Sequence, residues 1–248
     1  MTKFLSNSDK RFFQRIYEKV GKAVHQYNLI TEGDKIVVGL SGGKDSLSLL
    51  DILAGRMKYS DVSFQVTAVH VDIVSIPYEV DRVYLKNFCE SREIPFQFVQ
   101  TELSDDEYIS KDTCFVCSWN RRKILFEKIR DAGYRKLALG HHKNDVVETL
   151  LMNMVFQGSI SSMPAKLDLF GHETEIIRPL ITLSEDELAE YASRKGFSTE
   201  IRKCPFEDRS KRREIREIIG IMKKMNPEAV NNMFASMSNI QKKYLPSD

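Results

Sequence analysis

A chain of 248 residues, 42% of them apolar, can bury a full core, and one compact domain spanning 1–248 is the expected organisation. No stretch is apolar enough for long enough to form a signal peptide or a membrane span, which sets aside secreted and membrane-embedded classes and predicts a soluble, cytoplasmic protein. The formal net charge of +2 is unevenly spread, at +4 over residues 1–30, −7 over 31–200 and +5 over 201–248. Basic ends around an acidic body suit a polyanionic partner, because Lys and Arg placed at phosphates release condensed counter-ions; two solvated basic helices would give the same count.

In chain order, Phe12, Ile16, Val20, Ala23, Val24 and Tyr27 recur at spacings of three and four and predict a helix over 11–28, with lysine and arginine opposite. "EGDK" turns the chain into a strand over Lys35–Leu40, followed by a glycine-rich turn and the amphipathic run "LSLLDILAG". Further strands are predicted at 63–72, 95–100 and 135–140, separated by helices in "YEVDRVYLKNFCESR" and "RRKILFEKIRDAG" and followed by one in "DVVETLLMNMVF". Four strands alternating with helices predict an α/β fold, a doubly wound, Rossmann-like parallel sheet with right-handed crossovers. Beyond residue 158, turn residues and short extended runs predict a ribbon and then three helical stretches packed on the same domain. The N-terminal helix (1–30) and the C-terminal helices (201–248) are its basic parts.

The turn after the first strand reads Ser41-Gly42-Gly43-Lys44-Asp45-Ser46. A glycine-rich turn between strand and helix offers backbone N–H groups and the positive helix end to phosphate. It is not a Walker A loop: aligning Gly43-Lys44 with that motif's Gly-Lys puts Val38 at its first glycine and Asp45 where a magnesium-binding hydroxyl belongs. The dinucleotide-binding Gly-x-Gly-x-x-Gly is absent as well.

Ligands of open α/β sheets bind beyond the carboxyl ends of the strands. His70 and Asp72 leave the second strand there, and Gly140, His141, His142 and Asp145 follow the fourth, so contact with a nucleotide or its metal is the favoured role of the histidine pair and Asp145. Of four cysteines, Cys89 stands beside Leu85 and Phe88 on a helix and reads as core. Cys114 and Cys117 form a Cys-x-x-Cys before a helix, and Cys204 in "RKCPF" is a third thiol that folding alone could bring close. Three thiolates with a vacant position suit an iron–sulfur cluster. Zinc completed by His141 or His142, or a redox pair without Cys204, would use the same residues.

The loop Ser41–Ser46 resembles the PP-loop of the N-type ATP pyrophosphatases, which cleave ATP between its α and β phosphates. With "CFVCSWNRRK", "LGHHKNDVVETLLMN", "SSMPAKL", "IIRPL" and "KCPF" in that order, the chain resembles the tRNA 2-thiocytidine synthetases over about residues 33–225. The resemblance implies an ATP-dependent tRNA sulfurtransferase. Ser41, Gly42, Gly43, Lys44, Asp45 and Ser46 would bind ATP, with Asp45 on Mg2+; His70, Gly140, His141, His142, Asp145 and Arg178 would complete the nucleotide site. The C2 oxygen of a tRNA cytidine, at position thirty-two, would be adenylated and then replaced by sulfur. Cys114, Cys117 and Cys204 match the three ligands of a 4Fe-4S cluster that would deliver it, and Arg121, Arg122 and Arg178 match basic positions suited to phosphate. Many members carry a second Cys-x-x-Cys where this chain has Cys204-Pro205-Phe206-Glu207. The implied partners are tRNA and a sulfur donor, a cysteine desulfurase or free sulfide, with no membrane; a homodimer stays open. Two other readings use the same residues: a PP-loop ligase, or another tRNA-modifying enzyme of lysidine type, with structural zinc, and a non-catalytic adenine-nucleotide-binding module.

Overall fold

The structure is a computed structural model that describes residues 6–76, 80–102, 113–198 and 211–245, with 113–116 described by their backbone alone. In chain order it contains α1 (Asn7–Gln26), β1 (Asp34–Gly39), α2 (Lys44–Tyr59), β2 (Phe64–Ile73), α3 (Arg82–Glu90), β3 (Phe96–Thr101), α4 (Thr113–Asp131) and β4 (Lys136–Ala138). Then come α5 (Lys143–Gln157), β5 (Lys166–Leu169), β6 (Thr174–Ile177), α6 (Glu185–Lys195), α7 (Lys211–Met225), α8 (Ala229–Ser236) and a 3-10 turn at Lys242–Tyr244. The chain divides into two compact units, Met1–His142 with Pro164–Asp208, and Lys143–Met163 with Arg209–Asp248.

The first unit holds one six-stranded sheet in the order β3-β2-β1-β4-β6-β5. Every neighbouring pair is parallel except β5 with β6. Strands buried on both faces need unbroken apolar runs, and Ile36, Val37 and Val38 of β1 are all buried. The pleat sends Val37 to one face, where it packs with Val69, Val71, Leu137 and Ile176 beneath Leu125 and Ile129 of α4. Helix α2 lies against β1 and β2 and against α6. The ribbon predicted after residue 158 is present as the hairpin β5–β6, but it continues the sheet, because β6 pairs in parallel with β4.

Local chemistry sets the helix ends. Helix α1 starts at Asn7, earlier than apolar spacing predicts, because Ser6 and Asp9 form a reciprocal capping box. Ser184 and Glu187 do the same for α6, which ends on Gly196 in the left-handed region at φ 67°. At the amino edge of the sheet the buried Lys136 donates to the Leu29 carbonyl (3.0 Å) and pairs with Asp34 (2.6 Å) and Glu175 (3.2 Å), so its charge is compensated where it enters the interior. In the second unit Val147 of α5, Ile215 and Ile219 of α7 and Val230 of α8 form a separate apolar cluster.

Candidate active site

The strand order reverses between β1 and β4, which lie side by side in parallel, with Val38 opposite Ala138. The segments leaving their carboxyl ends, Leu40–Lys44 and Leu139–His142, therefore diverge at the switch point of the sheet, where crevices open in this class of fold. Leu40 is fixed twice: its N–H donates to the Val69 carbonyl (2.9 Å), and its own carbonyl accepts from Nδ1–H of His70 (2.7 Å). That bond assigns the His70 proton to Nδ1. His70 is 3% exposed and stacks on Phe98. Burial pushes its pKa down, and the Arg121 charge acts the same way against the Leu40 bond and Asp72, so His70 braces the loop as a neutral imidazole.

The loop folds back on its own serines. Ser46 Oγ accepts from Ser41 N–H (3.2 Å) and Ser41 Oγ (3.0 Å) and donates to the Gly43 carbonyl (3.0 Å); Gly43 N–H donates to Ser41 Oγ (3.3 Å). Gly42 has φ +88°, and a Cβ there would stand 3.0 Å from Val80 Cγ1, so both conformation and space demand glycine. Gly43 is the N-cap of α2 and provides no side-chain cap, which leaves the helix start to anions. Lys44 Nζ lies 3.2 Å from Asp45 and 3.6 Å from Glu185 at the start of α6. A cation next to an uncapped helix N-terminus is suited to phosphate oxygens.

Gly140 closes the other side. A Cβ on it would lie 3.1 Å from both the Asp45 carbonyl carbon and the Ser46 nitrogen, so the two segments approach at backbone distance only because residue 140 is glycine. His142 is buried, with Nε2 4.0 Å from the Asp45 carboxylate. Arg178 is also buried; its Nη1 donates to the Pro164 carbonyl (2.6 Å) and its Nε to His141 Nδ1 (3.3 Å). His141 Nδ1 is then an acceptor, so a neutral ring carries its proton on Nε2. Arg178 thus orients a histidine of the site.

Cys114 and Cys117 fall in the first two turns of α4, three residues apart, which puts them on one helical face; Cys117 is half-buried. Cys204 lies outside the described residues. Cys89 is buried as predicted, and burial pushes its thiol up to about 12, which keeps it an unreactive core residue. Arg122 donates to the Ser118 carbonyl and hydroxyl, both at 3.2 Å, along α4. Asp72 accepts from Gln100 on β3 (3.2 Å).

Asp145 belongs to the second unit, in the first turn of α5, 3.6 Å from Arg212 of α7. Two contributors escaped the sequence. Val80 and Glu185 come to the loop through tertiary packing and carry no local signal.

A glycine-built loop and an uncapped helix start at the switch point of a parallel sheet have the build that suits phosphate, and residues 10–221 match the family described as the PP-loop domain. A tRNA-cytidine(32) 2-sulfurtransferase 1 from Francisella tularensis subsp. novicida (strain U112) is 37% identical over 250 residues, 95% of this chain and 91% of that one. A tRNA-cytidine(32) 2-sulfurtransferase from Burkholderia multivorans is 35% identical over 240 residues, 96% of this chain and 72% of that one. The solved U34-tRNA thiolase NcsA from Methanococcus maripaludis, with its 4Fe-4S cluster, shares the fold: TM-score 0.77 at 23% identity, covering 96% of this chain and 81% of that one. The chain belongs to the PP-loop family and, within it, to the tRNA 2-thiocytidine synthetases.

Proposed function

We propose that this protein uses ATP to thiolate tRNA, activating the C2 carbonyl of the cytidine at position thirty-two and replacing its oxygen with sulfur. The observation that carries the reading is the backbone-distance approach of Gly140 to Asp45 and Ser46, which joins the phosphate loop and the histidine pair into one pocket edge in a chain of this family. The backbone N–H groups in the first turn of α2 take the β and γ phosphates, and the Lys44 ammonium neutralises them. The carbonyl oxygen attacks the α phosphorus; the bond to the β-phosphate oxygen breaks and pyrophosphate leaves with the electron pair. Sulfide then adds at C2, and AMP departs with the former carbonyl oxygen. Neutral His141 and buried His142 exclude water and position the nucleotide in this scheme.

Asp45 fits a magnesium ion, because an acidic oxygen beside the phosphate-binding turn suits a hard cation that takes its remaining ligands from phosphate and water. Cys114 and Cys117 would hold two of a cluster's positions, because the Cys-x-x-Cys pair stands about one turn apart in α4, and Cys204 would be the third ligand. When bound, a 4Fe-4S cluster would hold the sulfide that adds to the activated carbon; free sulfide supplies it directly, and persulfide sulfur from a cysteine desulfurase supplies it after two-electron reduction by a thiol.

The test is anaerobic purification, iron and sulfide analysis, and incubation with tRNA, ATP and sulfide, read by pyrophosphate release and nucleoside mass spectrometry. 2-Thiocytidine in the tRNA is the expected product. Cys114→Ala, Cys117→Ala and Cys204→Ala should each lose iron and thiolation, whereas Asp45→Asn should keep its iron and lose pyrophosphate release. Zinc in place of iron removes the cluster, and pyrophosphate release without a thionucleoside points to a ligase.

A further inference from the structure

We propose that the outer face of α4 stacks unpaired nucleotides of the RNA substrate, with Trp119 as the base platform and Lys123 and Arg130 at the phosphates; this rests on tRNA being the substrate. The surface lies wholly in the first unit. Helix α4 buries Leu125 and Ile129 on the sheet. Trp119, Lys123, Phe126 and Arg130 recur at spacings of four, three and four and form a second stripe of the same helix. Lys123 and Arg130 are exposed, and Trp119 is 51% exposed. Phe126 is half-buried and meets the Phe170 ring edge-on at 5.6 Å. Aromatic and cationic side chains therefore alternate over about 16 Å of helix.

Core packing does not account for these aromatics. Trp119 is the chain's one tryptophan, and about half of it faces solvent. Phe170 stands at φ 52°, a left-handed conformation that bulky residues seldom adopt, yet it is 61% exposed, so little burial offsets that conformation. The charge favours a polyanion. From Thr113 to Phe126 the helix carries Arg121, Arg122 and Lys123 and no carboxylate; Glu127 and Asp131 come later and alternate with Lys128 and Arg130. Arg122 turns back onto the Ser118 carbonyl and hydroxyl, whereas Lys123 points outward. Unpaired nucleotides offer both halves of the matching chemistry, a π-face for the indole and a phosphate for the neighbouring ammonium, and paired bases offer no free face. A crossover helix between parallel strands starts at the carboxyl edge of the sheet, and the Arg121 charge reaches His70, which holds the phosphate loop through Leu40. Trp119 therefore stands at the end of the stripe nearest the nucleotide site, where nucleotides flanking the reacting base pass.

The experiment uses the full-length protein without ATP and two labelled RNAs, an anticodon stem–loop and a fully paired duplex of equal length. Because Trp119 is the single tryptophan, its fluorescence reads this surface alone. Stem–loop binding, followed independently by anisotropy, should quench that fluorescence with the same Kd, and the duplex should leave it unchanged. Trp119→Leu should weaken stem–loop binding about tenfold, and Trp119→Phe should stay within about threefold of wild type. Lys123→Gln and Arg130→Gln should each lower the slope of log affinity against log salt by about 0.7. Stem–loop binding without a quench overturns the proposal, as does unchanged affinity in Trp119→Leu or an equal quench by the duplex. The quench is read on the wild type, so it decides the question even where Trp119→Leu does not fold. A quench with no 2-thiocytidine formed in tRNA defeats the functional reading and leaves the surface standing, whereas 2-thiocytidine formed without a quench defeats the surface alone. A wild type that binds no RNA and forms no thionucleoside defeats both.

Discussion

His70 is held neutral by its surroundings, and that has a measurable signature. An exposed histidine titrates near 6.5, whereas burial depresses the value in the folded chain. Below that pH the unfolded chain takes up a proton that the folded one refuses, so stability rises with pH through this window. The contribution is complete above about 6.5 and is lost as pH falls toward the depressed folded value. Urea unfolding from about pH 5 to 7.5 should show wild type losing more stability toward acid than His70→Gln; parallel curves would assign the pH dependence elsewhere. At this scale the sequence was informative wherever residue type is itself the chemistry. Ser41–Ser46, Gly140 and His141-His142 were legible because glycine and hydroxyl chemistry at a strand end has few other uses. Val80 over Gly42 and Glu185 beside Lys44 were not, because packing brings them in from other elements.

Helices stay in place through buried contacts of mixed character, and Asp51 on α2 is the clearest. It is 8% exposed; Arg92 beyond α3 reaches it at 2.7 Å and Lys195 of α6 at 2.9 Å, and the Tyr191 hydroxyl of α6 donates to it. Burial works against its charge, but Lys195 and Arg92 prevail and hold the carboxyl below its ordinary range. Asp51→Ala leaves two cations uncompensated beside α2 and should cost about 3–5 kcal/mol in urea unfolding, while a loss under about 1 kcal/mol would show that the cations find water. Strand β1 was plain in the sequence from the apolar run Ile36–Val38, and β2 from the apolar positions Phe64, Val66, Ala68, Val69, Val71 and Ile73. β6, four residues long, gave no signal that it is a fifth parallel strand, because its partner β4 is set by the sheet and not by its own pattern.

For the whole molecule, the basic ends were visible as a count, but which cations face outward required the fold. Arg212 and Arg216 are engaged by Asp145 and Glu148, whereas Lys224, Lys242 and Lys243 of the second unit are exposed. Changing these three lysines to glutamate should weaken tRNA binding and reduce the slope of log affinity against log salt by about three, roughly one per lost phosphate contact. An unchanged slope would make the basic end a solvated surface.

The chain crosses between its units after His142, Met163 and Asp208, so neither unit is a continuous stretch. That has a cost in time during synthesis. Thr174 of β6 follows Ala138 of β4 by 36 positions, and α5 is made in between. At ribosomal speeds of about 5–20 residues per second, β4 waits roughly 2–7 s for its parallel neighbour. For those seconds a growing sheet shows open backbone donors and acceptors that another strand can recruit. Once β6 arrives and pairs with β4 on one side and β5 on the other, the outer edge on that side is only four residues long and carries Lys166 and Asp168 within it. The nascent chain is therefore the form in which this sheet is most open to mispairing.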